Sequence, residues 1–194
     1  MKESPNVLVI ASGSIGVLQL PQYLMYLLLR KIKVKCIMTK TAANIIPPKS
    51  IAAYVDTFTD EAVYGGTVAR VPHIALGEWA THVLVLPASA NIIAKMAYGI
   101  ADDLATTTVL STKSPLMIFP NMGKVMAEQA VVVENVSKLK DRGYIVFDEF
   151  RTNYAVCKNI EETSLSLPPG QEFCDLMDRF LALKGGEIYG NVGN

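Results

Sequence analysis

The sequence predicts an α/β fold built on a parallel sheet, and three observations carry that prediction. Short apolar runs alternate with longer segments of helical spacing, the signature of βαβ units. Hydrophobic residues reach 51% and charged residues only 19%, against a charged share of about 25% in ordinary soluble domains. Four of the apolar runs end in turns of small, hydroxyl-bearing or amide-bearing residues, as strands that feed helices do.

Taken in order, Asn6–Ala11 is a strand stopped by Ser12-Gly13-Ser14. Val17–Arg30 carries Leu18, Tyr23, Leu24, Leu27 and Leu28 at helical spacing, with Pro21 in its first turn, where a missing N–H costs little. Val34–Met38 is a second strand, followed by Thr39-Lys40-Thr41 and a helix entered near Ala42, which Pro47-Pro48 breaks. Tyr54-Val55-Asp56 reads as a short helix, Ala62-Val63-Tyr64 as a short strand and Gly65-Gly66 as a turn. Ile74–Trp79 is a short helix before the strand His82–Leu86, and Asn91–Gly99 is a helix ended by Gly99. Asp102–Ser111 continues as helix, Pro115–Pro120 as strand, Lys124–Val133 and Asn135–Arg142 as helices with Gly143 as the stop, and Tyr144–Phe147 as a last strand. Asp148–Pro169 is polar and poorly periodic; Gln171–Leu183 is a closing helix, and 185–194 a loose tail. A single domain over residues 1–184 is expected, without repeats or linker.

The low charge content fits a sheet buried on both faces or a large subunit interface. Eighteen basic residues balance eighteen acidic ones, and no run of Lys or Arg exceeds two, so a nucleic-acid footprint is missing. The apolar start at Val7–Ala11 is too short for a signal peptide, and no stretch is long enough to span a membrane. Cys36, Cys157 and Cys174 are too scattered for a disulfide framework or a zinc site, so no metal is expected and a reducing cytoplasm is the default.

In an open parallel sheet, ligands bind beyond the carboxyl ends of the strands. The turns to search are Ser12–Ser14, Thr39–Thr41, Pro87–Asn91 and Pro120–Gly123. Gly13 between serines suits a phosphate, held by backbone N–H groups and hydroxyls at a helix start; helix capping by Ser14 is the competing reading. The pattern is not G-x-G-x-x-G, which argues against an ordinary dinucleotide fold. Of the two histidines, His82 opens an apolar strand and reads as structural, while His73 lies in a loop-like Arg70-Val71-Pro72-His73 context.

The segment Pro87–Thr107, PASANIIAKMAYGIADDLATT, closely resembles the PASANT motif and following helix of the homo-oligomeric flavin-containing cysteine decarboxylases. That family includes phosphopantothenoylcysteine decarboxylases and the epidermin- and mersacidin-type peptidyl-cysteine decarboxylases. The likeness extends over Asn6–Phe147, through Met38-Thr39-Lys40-Thr41-Ala42, His73 before Gly77-Glu78-Trp79, and Phe119-Pro120-Asn121-Met122. The Met-Thr-Lys-Thr-Ala and Gly-x-Trp pieces are most similar to the peptide enzymes.

The resemblance implies a Rossmann-like (flavodoxin-like) three-layer subunit that forms homotrimers, which in several members assemble to dodecamers, with the flavin where subunits meet. By position, Gly13 and Ser14 would hold the flavin phosphate with Thr39 and Thr41. Ala88, Ser89 and Ala90 would face the ring, with Thr106 near it. His73 would be the base, and Asn91 would contact substrate or flavin. FMN is the expected cofactor, and FAD stays open because both place a phosphate in the first turn. The implied chemistry oxidises the cysteine side chain to a thioaldehyde, an electron sink that lets CO2 leave as an enethiolate forms.

Two features depart from the family pattern. Its second motif, P-x-M-N-x-x-M-W, reads here Pro120-Asn121-Met122-Gly123-Lys124-Val125-Met126-Ala127. Gly123 replaces the Asn that would bind the substrate carboxylate, and Ala127 replaces the Trp. Asn121, Met122 and Lys124 are the substrate-side candidates there, with a backbone N–H of the turn as another. Cys157 lies about where coenzyme A-pathway members keep a catalytic Cys, without their glycine-rich surroundings, and reads as a small apolar filler. Residues 148–169 would be a mobile clamp over a peptide, with Arg151, Asn153 and Tyr154 as contacts. The expected substrate is a precursor peptide ending in cysteine, processed towards an aminovinyl-cysteine ring. Phosphopantothenoylcysteine decarboxylation and a non-catalytic flavin-binding regulatory subunit are the alternatives.

Overall fold

The computed structural model describes residues 4–61, 63–64, 71–155 and 160–183, with backbone alone at 63, 64, 154 and 155. The elements follow in the order β1 Asn6–Ala11, a 3-10 turn Ile15–Gln19, α1 Leu20–Leu29, β2 Lys33–Met38, α2 Lys40–Ile45, α3 Pro48–Ile51, β3 Asp56–Phe58 and β4 Val63–Tyr64. Next come α4 Pro72–Trp79, β5 His82–Ala88, α5 Ala90–Tyr98, α6 Leu104–Ser111, β6 Leu116–Pro120, β7 Met122–Gly123, α7 Lys124–Ala127 and α8 Ala130–Asp141. The chain then runs through β8 Ile145–Val146, β9 Phe150–Ala155, β10 Ile160–Leu165 and α9 Gly170–Phe180.

The main sheet has the order β4-β3-β2-β1-β5-β6-β8, parallel throughout except for the antiparallel edge β4. Alternate residues of each central strand feed opposite layers. Val7, Val9, Leu84, Leu86 and Phe119 pack with Tyr23, Leu24 and Leu27 of α1 and Phe173, Met177 and Phe180 of α9. Leu8, Ile10, Val83, Val85 and Ile118 face Leu76, Ile93, Val109 and Leu139 of α4, α5, α6 and α8. This is the expected three-layer α/β sandwich, and the near-total burial of β1 and β5 accounts for much of the apolar composition.

Three local expectations are corrected. Tyr54 lies in a turn, and Asp56–Phe58 is a strand, defined by pairing with Lys35–Ile37 rather than by any pattern three residues can show. The helix break after β6 falls at Glu128-Gln129 instead of Glu134, so Val131–Val133 join α8. The supposedly irregular stretch after Phe147 holds an antiparallel hairpin, β9 with β10, extended by β7 into a second three-stranded sheet. Its strands read FRTNYA and IEETSL, and β10 has only Leu165 fully buried, so the usual alternation is weak. The tail 185–194 lies outside the described residues.

His82 has the structural part expected of it. Its ring nitrogens meet Thr81 Oγ1 at 3.0 Å and the Leu183 carbonyl at 3.1 Å, fastening the end of the α9 segment to the sheet. Burial lowers its pKa, against the opposing pull of the Leu183 and Phe180 carbonyls. In α6, three consecutive threonines are tolerated because Thr107 and Thr108 return their hydroxyls to the carbonyls of Asp103 and Leu104 at 2.7 and 2.6 Å. That helix starts in a capping box: Asp103 Oδ1 accepts the Thr106 N–H at 2.8 Å, and Thr106 Oγ1 accepts the Asp103 N–H at 3.3 Å.

Burial would raise the Asp103 pKa, but hydrogen bonds from Thr106 and Lys95 outweigh it and hold the carboxyl below the usual range. Asp103→Ala is therefore expected to cost about 1 kcal/mol in chemical denaturation at neutral pH. A lowered folded-state pKa means that the stabilisation is complete above the unfolded value of about 3.9 and fades as pH falls through the folded one. The gap between wild type and variant should close over that acidic window.

Candidate active site

The strand order reverses between β1 and β5, and the crevice beyond their carboxyl ends is the ligand position of this architecture. One buried hydroxyl builds it. Ser12 Oγ donates to the Pro87 carbonyl at 2.8 Å and accepts the Ser89 N–H at 2.7 Å, while the Ser12 N–H also reaches Pro87 O at 3.1 Å. The turn after β1 and the turn after β5 are thereby one unit. Sequence reasoning passed over Ser12 as an individual residue; its place as the first residue beyond a buried strand was the available signal.

Around this lock the predicted cofactor residues assemble. A Cβ on Gly13 would overlap the Thr41 side chain, so the backbone of the first turn lies directly against the start of α2. Thr39 caps that helix, accepting the Ala42 N–H at 3.4 Å, and its own N–H donates to Ala11 O at 3.0 Å. Ser14 begins the 3-10 turn in extended conformation without a side-chain cap, and its Oγ is buried with no hydrogen-bond partner. Capping therefore does not explain Ser14. Ala88 is buried, Ser89 caps α5 through Ile92 N–H at 3.4 Å, Ala90 is half-buried and Asn91 is exposed.

His73 is the second residue of the eight-residue helix α4 and is half-buried. The other end of α4 is tied to the amino end of β1, where Asn6 Nδ2 donates to Trp79 O at 3.0 Å. Eight residues rise about 12 Å, so α4 carries His73 towards the carboxyl edge of the sheet. Thr106 is buried, and its hydroxyl donates to Asp103 Oδ1 at 2.6 Å inside the capping box.

The substrate-side candidates divide. Asn121 is committed on both amide atoms, Oδ1 accepting the Gly16 N–H at 3.0 Å and Nδ2 donating to Leu165 O at 3.3 Å. Met122 is buried in β7, opposite Leu165. Lys124 is exposed, 3.6 Å from Glu128. Arg151 is held by Glu149 at 2.9 Å and by Glu172 of α9, beside the Phe147 ring, which fastens the hairpin rather than leaving a free cation. Asn153 donates to Ser166 Oγ at 2.7 Å. Tyr154 is paired through its backbone with Glu161, and its side chain and Cys157 lie outside the described residues. Gly123 faces open space where a Cβ would meet nothing within 4 Å. Nearby, Ala127, Val136, Phe150 and Leu165 line a cavity of 230 Å³. No group of three or more His, Cys, Asp or Glu among the described residues could hold a metal, and none of their helices is long and apolar enough to cross a membrane.

The pattern of the family described as "Flavoprotein" matches residues 1–181. The chain belongs to the flavoprotein family. Among curated proteins it is 34% identical over 136 residues to mersacidin decarboxylase of Bacillus sp. (strain HIL-Y85/54728), covering 70% of this chain and 69% of that protein. It is also 34% identical over 174 residues to the coenzyme A biosynthesis bifunctional protein CoaBC of Bacillus subtilis (strain 168); those are 87% of this chain but only 41% of that longer protein. Among solved structures, the FMN-dependent cysteine decarboxylase SpaF aligns at TM-score 0.72 with 30% identity, over 90% of this chain and 96% of its own. The Staphylococcus aureus epidermin biosynthesis protein EpiD aligns at 0.77 with 25% identity, over 88% and 99%. Flavin-dependent decarboxylases are thus this flavoprotein's structural company.

The crevice fits a flavin phosphate on its own terms. The orphaned Ser14 Oγ needs a partner, and the Gly13 turn admits close backbone approach. Because Ser14 Oγ is buried and bonds nothing in the protein, Ser14→Ala is expected to leave apoprotein stability unchanged or to raise it by about 1 kcal/mol. The same change should weaken FMN binding about tenfold, the value of one hydrogen bond to a charged group. Fluorescence titration beside a denaturation curve reads both; equal FMN affinity would exclude Ser14 from the phosphate site.

Proposed function

We propose that this protein uses FMN to decarboxylate, oxidatively, the cysteine at the C-terminus of a ribosomally made precursor peptide, giving an aminoenethiol for an aminovinyl-cysteine ring. The observation that carries the reading is the Pro87–Asn91 turn, locked through Ser12 to a first turn whose Ser14 hydroxyl waits for an acceptor or donor. The decarboxylase identity of the mersacidin and SpaF proteins supports the reaction class. FMN would be cradled by Gly13, Ser14, Thr39 and Thr41, with Ala88–Ala90 against its ring. Bound there, it supplies the two-electron oxidation of the cysteine side chain that makes the neighbouring carboxylate a leaving group.

The chain's own residues do the rest. His73 takes the proton lost from the cysteine side chain, a task suited to an imidazole at neutral pH. Asn91, exposed at the start of α5, orients the substrate. With no side chain at Gly123, the carboxylate is met by backbone N–H groups where β7 runs into α7 and by Lys124. The β9–β10 hairpin, with Tyr154 and Asn153, lies over the peptide, and the cavity beside Ala127 admits a side chain bulkier than a Trp at that position would allow. The proposed assembly is a homotrimer able to build a dodecamer. Ile15, Leu18 and Leu29 support it, since these large apolar side chains are exposed in the single chain.

A second reading, decarboxylation of phosphopantothenoylcysteine, is favoured by the similarity to CoaBC, which extends over 87% of this chain. The product separates the two. Loss of CO2 together with two hydrogens from a cysteine-ended peptide, measured by mass spectrometry, is the expected result; loss of CO2 alone from the pantothenoyl substrate would replace the peptide reading. His73→Asn should keep bound FMN and lose turnover by about a hundredfold or more, the usual scale of general acid–base catalysis. Near-normal turnover in that variant would remove His73 from the mechanism. Gly123→Asn has room and a backbone (φ −62°, ψ 154°) suited to an N-cap asparagine. Restoring an amide beside the carboxylate is expected to raise kcat/KM about tenfold.

A further inference from the structure

Asn121 sits where three parts of the site converge. It directly follows β6, and its backbone N–H donates to Ala88 O at 2.9 Å, at the turn assigned to the flavin ring. Its side-chain Oδ1 accepts the Gly16 N–H at 3.0 Å, in the 3-10 turn that Ser14 opens. Its Nδ2 donates to Leu165 O at 3.3 Å, in the last residue of the hairpin strand β10. Contact with the 3-10 turn is close: a Cβ on Gly16 would lie 2.7 Å from Oδ1 and 2.9 Å from Cγ. Glycine at 16 is thus what lets the amide reach the backbone.

We infer that Asn121 is a positioning residue that couples the β9–β10 hairpin to the phosphate-holding turn, so that FMN binding and hairpin placement reinforce each other. The inference rests on the flavin site proposed above. The amide is a single rigid plane with an acceptor on one side and a donor on the other. An ordered first turn holds Oδ1, which orients Nδ2 at Leu165; a docked hairpin does the same in reverse. Such coupling is reciprocal by linkage. Next to Asn121, Met122 and Gly123 pair with Leu165 and Ser164, so the strand that receives the hairpin is continuous with the residue that senses the turn.

Three substitutions separate the two arms. Asn121→Asp keeps an acceptor for Gly16 N–H and sets a carboxylate oxygen against the Leu165 carbonyl, breaking the hairpin arm alone. Gly16→Ala pushes the amide off the turn, breaking the flavin arm. Asn121→Leu removes both. The readouts are FMN dissociation constants by fluorescence and amide hydrogen exchange in 150–155 and 160–165, with and without FMN. FMN should slow hairpin exchange in the wild type and not in any of the three variants. Gly16→Ala and Asn121→Leu should weaken FMN about fivefold, the worth of one neutral hydrogen bond, and Asn121→Asp less than twofold. Exchange in the FMN-free hairpin should quicken in Asn121→Asp and Asn121→Leu. Asn121→Leu hairpin exchange that matches the wild type without FMN and responds to FMN as the wild type does would overturn the coupling. A wild type that fails to bind FMN would instead defeat the flavin site, and the quickened exchange of the FMN-free variants would still report the hairpin arm.

Discussion

The hydrogen bonds of Ser12 are the constraint on which the site depends. A serine with 1% of its surface exposed gives its proton to Pro87 O and takes one from Ser89 N–H. Losing the hydroxyl would leave the Ser89 N–H without its acceptor, a larger penalty than the bond itself is worth, while Pro87 O would keep only the Ser12 N–H. The crevice at the switch point is therefore a rigid object rather than two loops that happen to meet. Everything placed in it, from the Gly13 backbone to the cap of α5, inherits its position from that one side chain.

Outside the crevice, the protein spends its polar groups on fastening. Asp103, Thr106 and Lys95 tie the start of α6, and Asp60 Oδ1 adds a bond to Leu104 N–H at 2.6 Å. Arg151 bridges the hairpin to α9 through Glu172, and Tyr23 donates to Pro168 O at 2.6 Å just ahead of that helix. Burial pushes the Tyr23 pKa up to about 12, which keeps its proton in place for that bond. Against this well-tied background, the exposed Gly123 and the cavity beside Ala127 are left open. They are also the two positions where the second motif departs from its family, so both departures leave open space there.

The parts of the site legible in the sequence were those held by local rules. Ser89 and Thr39 are helix N-caps after buried strands, and Gly99 ends α5 in the left-handed conformation at φ 69°. Such residues announce themselves because their partners lie within four positions. The hydrogen bonds of Asn121 and Arg151 were hidden for the opposite reason. Asn121 bonds Gly16, 105 residues away, and Leu165, and Arg151 bonds Glu172, partners that no local pattern announces. The hairpin was hidden likewise, since a half-exposed strand on a small sheet needs no apolar alternation, only a partner for its backbone.

By itself the sequence determined the layers: apolar runs short enough to be strands, helices between them, and turns of Ser, Thr, Asn and Gly where a phosphate can be met. Periodicity and turn chemistry are local, so they survive without coordinates. Tertiary structure decided which turns share a crevice, which hydroxyl is left without a partner, and which amide is already spent. Those are questions of hydrogen-bond saturation between residues far apart in the chain, and only the folded arrangement of strands answers them.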